Sequence, residues 1–185
     1  MIIHKLPRKF YNRDTVTVAK ELLGKYLVHQ WKDKQQIGKI VEVEAYLGPH
    51  DLAAHSAKGR TKRTEVMFGP PGHAYVYLIY GMYHCINAVT EDEGHASAVL
   101  LRAIEPIQGI TLRTQGPGLL CKAMHITKQH NGMDLVGDHL FVGESSNQEI
   151  IKIIKRPRIG VDYAGHWAKR HLRFYIAGNK FVSKK

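Results

Sequence analysis

The sequence predicts a single α+β domain over residues 1–185, built on an antiparallel or mixed sheet with few helices. Strand-like segments, alternating or apolar on both faces, recur along the chain and are separated by turns that often contain glycine. Helical periodicity is confined to two short stretches. No internal repeat, low-complexity tract or linker divides the chain, and 185 residues suit one core.

Taken in order, Asp14 caps a helix in which Val16, Ala19, Leu22 and Leu23 recur at helical spacing, and Gly24 ends it. Lys25–His29 reads as a strand, with Gln35 and Gln36 in the loop that follows. Ile37–Leu47 is a long strand, with Val41, Val43 and Ala45 on one face and Glu42, Glu44 and Tyr46 on the other. Gly48-Pro49 breaks it. Residues 48–73, rich in glycine, histidine and cations, form a long loop of the kind that carries function. Ala74–Tyr80 is apolar on both faces, which predicts a central strand. Gly81-Met82 turns the chain, and Tyr83–Val89 returns as the hairpin partner. Glu91–Gly94 is an acidic turn, and Ser97–Ile104 is a strand whose only charge is Arg102. Gln115-Gly-Pro-Gly118 leads into a helix reaching about Ile126. Leu140–Val142, Ile150–Ile154 and Leu172–Ile176 complete the predicted strands.

Composition narrows the function. Hydrophobic residues make up 44% and charged residues 23%, which argues against disorder. No apolar run approaches the roughly 18 residues of a spanning helix, and Met1–Phe10 has no signal-peptide core. Cys85 and Cys121 make neither a disulfide framework nor a C-x-x-C zinc site, so a reducing, cytoplasmic setting is expected. The formal charge is +11, from 27 Lys and Arg against 16 Asp and Glu. Ten of the cations lie in residues 151–185 beside one acid, Asp162, and Lys58-Gly-Arg-Thr-Lys-Arg63 adds a second cluster. Two such tracts favour a polyanion partner, nucleic acid before membrane, over a merely solvated basic surface.

Several residues carry chemistry in principle. Arg102, amid an apolar strand, cannot be buried unpaired and requires a carboxylate: Glu42, Glu44 or Glu105. Such a pair is either structural or part of a site. Tyr75 and Tyr77 read as core. Tyr80 precedes the turn glycine, so its ring sits at an exposed tip, where an aromatic can stack on or wedge between bases. Asn87, buried by pattern, must satisfy its amide, either on a turn or against a base edge. The start of the helix at Gly116-Pro-Gly118 offers free N–H groups, a weak anion signal. No histidine pattern matches a metal motif, although His50 and His55 flank Asp51.

The runs Val41-Glu-Val-Glu-Ala-Tyr-Leu-Gly-Pro49, Ala53-Ala-His-Ser56, Tyr75-Val-Tyr-Leu-Ile-Tyr-Gly-Met-Tyr83 with Asn87, and Val99-Leu-Leu-Arg-Ala-Ile-Glu-Pro106 closely resemble the alkyladenine (3-methyladenine) DNA glycosylase family. The likeness continues in order through Gly116–Ala123, Arg156–Val161, Trp167 and Arg173-Phe-Tyr175, nearly the whole chain, in a compact bacterial form. It implies a curved, mostly antiparallel sheet with the tyrosine hairpin protruding. By position it implies Glu44 as the base that activates water, held with the help of Arg102 and a main-chain carbonyl near Val161. It further implies a base pocket of Tyr46, His55 and Tyr77, with Asn87 excluding the exocyclic amine of guanine. Tyr80 would be the wedge, and Met82 and Tyr83 would lie against the duplex.

The implied reaction is base-excision repair: alkylated or deaminated purines of the 3-methyladenine, 7-methylguanine and hypoxanthine class are flipped from duplex DNA and hydrolysed away, leaving an abasic site. No metal and no other cofactor is implied, and a monomer is expected. Two rivals stand beside it. A basic module similar to the C-terminal domain of methionyl-tRNA formyltransferase would bind nucleic acid without chemistry. A metal-dependent hydrolase would use the histidines.

Overall fold

Period-two patterning produces strands along nearly the whole chain. The computed structural model, which describes residues 1–147 and 149–185, joins nine of them into one sheet in which every pairing is antiparallel. In chain order they are β1 (Ile3–Lys5), β2 (Tyr26–Trp31), β3 (Lys34–Tyr46), β4 (Ala74–Ile79), β5 (Tyr83–Thr90), β6 (Ser97–Gln108), β7 (Leu140–Ser145), β8 (Ile153–Arg156) and β9 (Arg173–Ile176). The sheet runs β1-β7-β2-β3-β6-β5-β4. Strand β9, with β8 outside it, takes over the edge of β3 at Glu42–Glu44, where β2 has left it. The α+β class read from the sequence is therefore the observed one.

Among the described residues three α-helices accompany the sheet: α1 (Arg8–Tyr11), α2 (Thr15–Leu22) and α3 (Pro117–Ala123). Asp14 caps α2 by accepting the Thr17 N–H. Val18, Ala19 and Leu22 then bury its apolar stripe against β3 and β6, and α3 packs on β5 and β6. Among the described residues no helix is long and apolar enough to cross a membrane.

Some expectations need correction. Gln35 and Gln36 belong to β3, paired with β2 through a turn at Lys32-Asp33, because Gln36 finds acceptors in the Gly109 and Ala123 carbonyls and is satisfied inside. The predicted strand at Ile150–Ile154 begins at Ile153 and runs to Arg156, and the helix after Pro117 stops at Ala123. Strand β6 extends four residues past Ile104. The short helical turns over Asp162–Lys169, interrupted at Gly165, are not among the predicted elements. Strand β4 is not central but last in the sheet. Its free edge is covered by residues 131–133: Ala74 N–H donates to the Met133 carbonyl, Gly132 N–H to the Ala74 carbonyl, and Val76 N–H to Asn131 Oδ1. It is apolar on both faces because both are covered.

Those two faces differ. Val43 and Ala45 of β3, Val99 and Leu101 of β6, Ile86 and Ala88 of β5, and Ala74 and Val76 of β4 point into the main core. The alternate residues point to the opposite face, which the loop 48–73 and the segment 157–167 cover. Irregular register between Ile40 and Val43 puts Ile40 and Val41 both in the core. That bulge sets which face Glu42, Glu44 and Tyr46 occupy.

Candidate active site

Cross-strand register assembles the site. Glu44 of β3 pairs with Leu100 of β6, Leu100 with Asn87 of β5, and Asn87 with Tyr75 of β4. The four side chains thus form one rank across four strands on the face away from the core. Still on that face by the period of two, Arg102, Cys85 and Tyr77 lie on one side of this rank and Tyr46, paired with Ala98, on the other. With His55 from the covering loop and Val161 from the segment after β8, they enclose a pocket of about 430 Å³.

Glu44 lies on its floor with no solvent exposure. Its Oε2 accepts the Tyr46 hydroxyl at 2.8 Å, and its Oε1 accepts the Ile159 N–H at 2.8 Å. Arg102 Nη1 stands 3.3 Å from the same Oε1. Burial works against the charge on Arg102, but Glu44 and Glu42 outweigh it and hold the guanidinium charged. Of the carboxylates by which Arg102 could be paired, Glu105 is elsewhere, within reach of Lys39 and accepting from Asn179. Burial, and then the adjacent Glu44, raise the Tyr46 hydroxyl well above its usual range, so it stays a donor.

Aromatic rings make the walls. His55 and Tyr77 meet edge to face at 4.5 Å, and His55 Nδ1 lies 2.9 Å from the Tyr75 hydroxyl. Tyr75 is buried as expected, in a second apolar cluster with Met67, Val89, Ala96 and Ala98 against which Tyr77 packs, and both also line this pocket, because the odd-numbered residues of β4 share the face of Asn87. Burial, helped by Arg63 and Lys58, lowers His55 to about 4 and keeps it neutral at neutral pH. Asn87 gives its Nδ2 to the Tyr75 carbonyl at 3.0 Å. Tyr46 is backed by Arg158, whose guanidinium lies 4.7 Å from the ring centroid.

The hairpin tip closes one side. Ile79 and Tyr83 pair, and the Met82 N–H donates to the Ile79 carbonyl around Tyr80-Gly81. Both turn residues have positive φ, +52° at Tyr80 and +67° at Gly81. Glycine tolerates this at no steric cost, whereas a tyrosine there is strained by about 1–2 kcal/mol. Tyr80, at the turn, is 85% exposed, at the mouth of the pocket. Met82 and Tyr83 do not join it. They line a second concavity on the other side of the hairpin with Trp31, Lys122 and His125. A Cβ on Gly118 would come within 2.8 Å of the Tyr83 ring, so α3 must present glycine there.

One supporting pair was not legible in the sequence. Asp51 and Arg158, 107 residues apart, form a fully buried two-pronged ion pair at 2.6 and 2.9 Å. Asp51 also accepts the Leu47 and Ala53 N–H groups, so the pair pins the covering loop to the segment that carries Val161. Asp51 is thereby committed, and His50 packs on Trp167 rather than beside His55. Among the described residues, no three His, Cys, Asp or Glu side chains converge as a metal site. The basic tract divides as well. Arg158 and Arg173 are buried and paired, while Lys152, Lys155, Arg156, Lys169, Arg170 and Lys180 remain exposed.

Comparison with known proteins gives this geometry its context. The model of the methylpurine-DNA glycosylase family matches residues 9–180. A protein of Legionella pneumophila (strain Corby), named "Putative 3-methyladenine DNA glycosylase", is 62% identical over 182 residues, 98% of this chain and 100% of its own length. Proteins with the same name in Anaeromyxobacter sp. (strain Fw109-5) and Myxococcus xanthus (strain DK1622) are 54% and 50% identical over 181 residues, each covering 97% of this chain and 93% of the relative. With an antiparallel sheet that sets a buried Glu–Arg pair beneath an aromatic pocket and a sequence match along almost its full length, this chain belongs to the methylpurine-DNA glycosylase family and is a monofunctional DNA glycosylase.

Proposed function

We propose that the protein, acting as a monomer, removes 3-methyladenine, 7-methylguanine and hypoxanthine from duplex DNA by flipping the damaged nucleotide into the pocket over Glu44. The observation that carries this reading is a buried carboxylate beside a buried guanidinium at the foot of an aromatic-walled cavity of about 430 Å³. Such a space takes one nucleoside and no duplex, so the base must leave the stack, at a cost of a few kcal/mol that is least for damaged or mispaired bases. Tyr80 fills the gap it leaves, and Met82 and Tyr83 rest on the duplex.

Water held between Glu44, Arg102 and the main chain near Val161 attacks C1′ of the sugar. Glu44 takes a proton from that water, the glycosidic electron pair leaves with the base, and an oxocarbenium-like sugar lies between. A purine alkylated at N3 or N7 is cationic and departs neutral, so it needs no acid, whereas neutral hypoxanthine would leave as an anion and takes up one proton on its ring as the bond breaks. Tyr46, Tyr77 and His55 sandwich the base, and Asn87 disfavours any 2-amino group: unmodified guanine is rejected, whereas 7-methylguanine, which shares that amine, still leaves because its cationic ring weakens the glycosidic bond.

Incubation with duplexes carrying each lesion, in excess EDTA, tests the reading. Released free base and an alkali-labile abasic site are expected. Binding without release on every lesion would refute it, and activity lost in EDTA but restored by a divalent metal would move the chemistry to the histidines.

A further inference from the structure

The second carboxylate of β3, Glu42, takes no part in the pocket, yet its side chain is completely buried. A buried carboxylate is costly unless its lone pairs are used, and here they are. Oε1 accepts the Arg173 Nη1 at 2.9 Å and lies 3.4 Å from Arg102 Nε, and Oε2 accepts the main-chain N–H of Ser183 at 2.7 Å. The same Nη1 of Arg173 donates to the Lys184 carbonyl at 2.6 Å. Residues 183–184 are held by Val182, buried in the main core, and by the Asn179–Glu105 bond at 2.9 Å.

These interactions have a direction. Arg102 meets two carboxylates with different atoms: Nε faces Glu42 and Nη1 faces Glu44. A guanidinium is planar and rigid, so anchoring its Nε edge fixes where its Nη atoms point. Without Glu42, only a long contact of 3.5 Å from Arg102 Nη2 to the uncharged Ser183 Oγ remains to oppose Glu44, and Arg102 would close on the very carboxylate that must remain free to take a proton. Without Arg173 or Ser183, Glu42 itself is loose.

We propose that Glu42 is a positioning residue for the reaction, with Arg173 and the segment 179–184 as its support: it holds Arg102 at a set distance from Glu44. This rests on the assignment of Glu44 and Arg102 made above, and it places a segment distant from the pocket behind the chemistry.

Single-turnover excision and lesion-duplex affinity, measured on Glu42→Gln, test it. A displaced guanidinium near the reacting atoms should lower the rate by about 10–100-fold, while affinity changes less than about twofold, since the surface that meets DNA is untouched. Arg173→Met should lower the rate likewise, and Arg173→Lys, which keeps a cation for Glu42, should recover most of it. A wild-type rate in Glu42→Gln, or equal falls in rate and affinity, would overturn the proposal. Should the variants not fold, the wild-type protein decides through nitrogen-15 spectra. A resolved, slowly exchanging Arg102 Nε–H is expected, and its absence would overturn the proposal. This readout does not depend on activity. An inactive wild-type protein with a protected Nε–H would count against the proposed reaction, and an active one without it against the positioning role.

Discussion

Glu44→Gln is the most informative single change. The amide has the shape of the carboxylate, and the site accommodates it: the Gln oxygen can keep the Ile159 N–H, and its nitrogen can donate to the Tyr46 hydroxyl once that hydroxyl rotates. Arg102 gives up one of its two carboxylates and retains Glu42. The charge-assisted hydrogen bonding removed is worth about 1.5–3 kcal/mol of stability, which lowers the melting temperature without unfolding the protein. Chemistry suffers more. A positioned base contributes about 10²–10⁴-fold, and an amide cannot take the proton. The assay pairs single-turnover release of hypoxanthine and of an alkylated purine with anisotropy on the same duplexes. Release should fall at least 100-fold while binding persists. A variant that keeps more than about a tenth of the rate would remove Glu44 from the role of base.

The other predictions address separate parts of the molecule. Tyr80→Ala should weaken binding and excision of every lesion by about the 1–3 kcal/mol of an aromatic–base stack, whereas Asn87→Ser should raise excision of guanine derivatives relative to hypoxanthine; uniform loss at Asn87 or lesion-selective loss at Tyr80 would exchange the two roles. Charge removal at the exposed Lys155, Arg156, Lys169 and Arg170 should flatten the dependence of log K on log salt by about 0.9 for each phosphate no longer neutralised, on damaged and undamaged DNA alike. Arg158→Ala should instead act on folding, because it strands the buried Asp51 at a cost of about 3–5 kcal/mol; a flattened salt slope at unchanged stability would refute that division. His55, held near 4 in the fold against 6.5 unfolded, takes up its proton preferentially in the unfolded chain. Its contribution to stability is present above pH 6.5 and is lost as pH falls toward 4, so His55→Phe should flatten the fall in melting temperature over that window, and an unchanged profile would show that His55 is not the group responsible.

The sequence alone determined the elements and their faces. Alternation from Val41 onward already puts Glu42, Glu44 and Tyr46 on one side of a strand, and a lone Arg102 in an apolar strand already demands a carboxylate, because local period and desolvation cost are properties of the residues themselves. Tyr80 before Gly81 likewise marks a tip. Only the tertiary structure decided partners. Glu42 and Glu44 look alike in the sequence, yet one accepts from Arg173 and Ser183, far along the chain, and the other faces a cavity. Tyr75 and Tyr77 read as core and do pack in a buried cluster, but only register with Asn87 shows that this cluster borders the site, and the place of β4 at the sheet edge depends on residues 131–133 covering it. Asp51 and Arg158 carry no local pattern at all. Short-range periodicity records which way a side chain points, but what it meets is set by strand order and loop closure, which bring together residues more than a hundred positions apart.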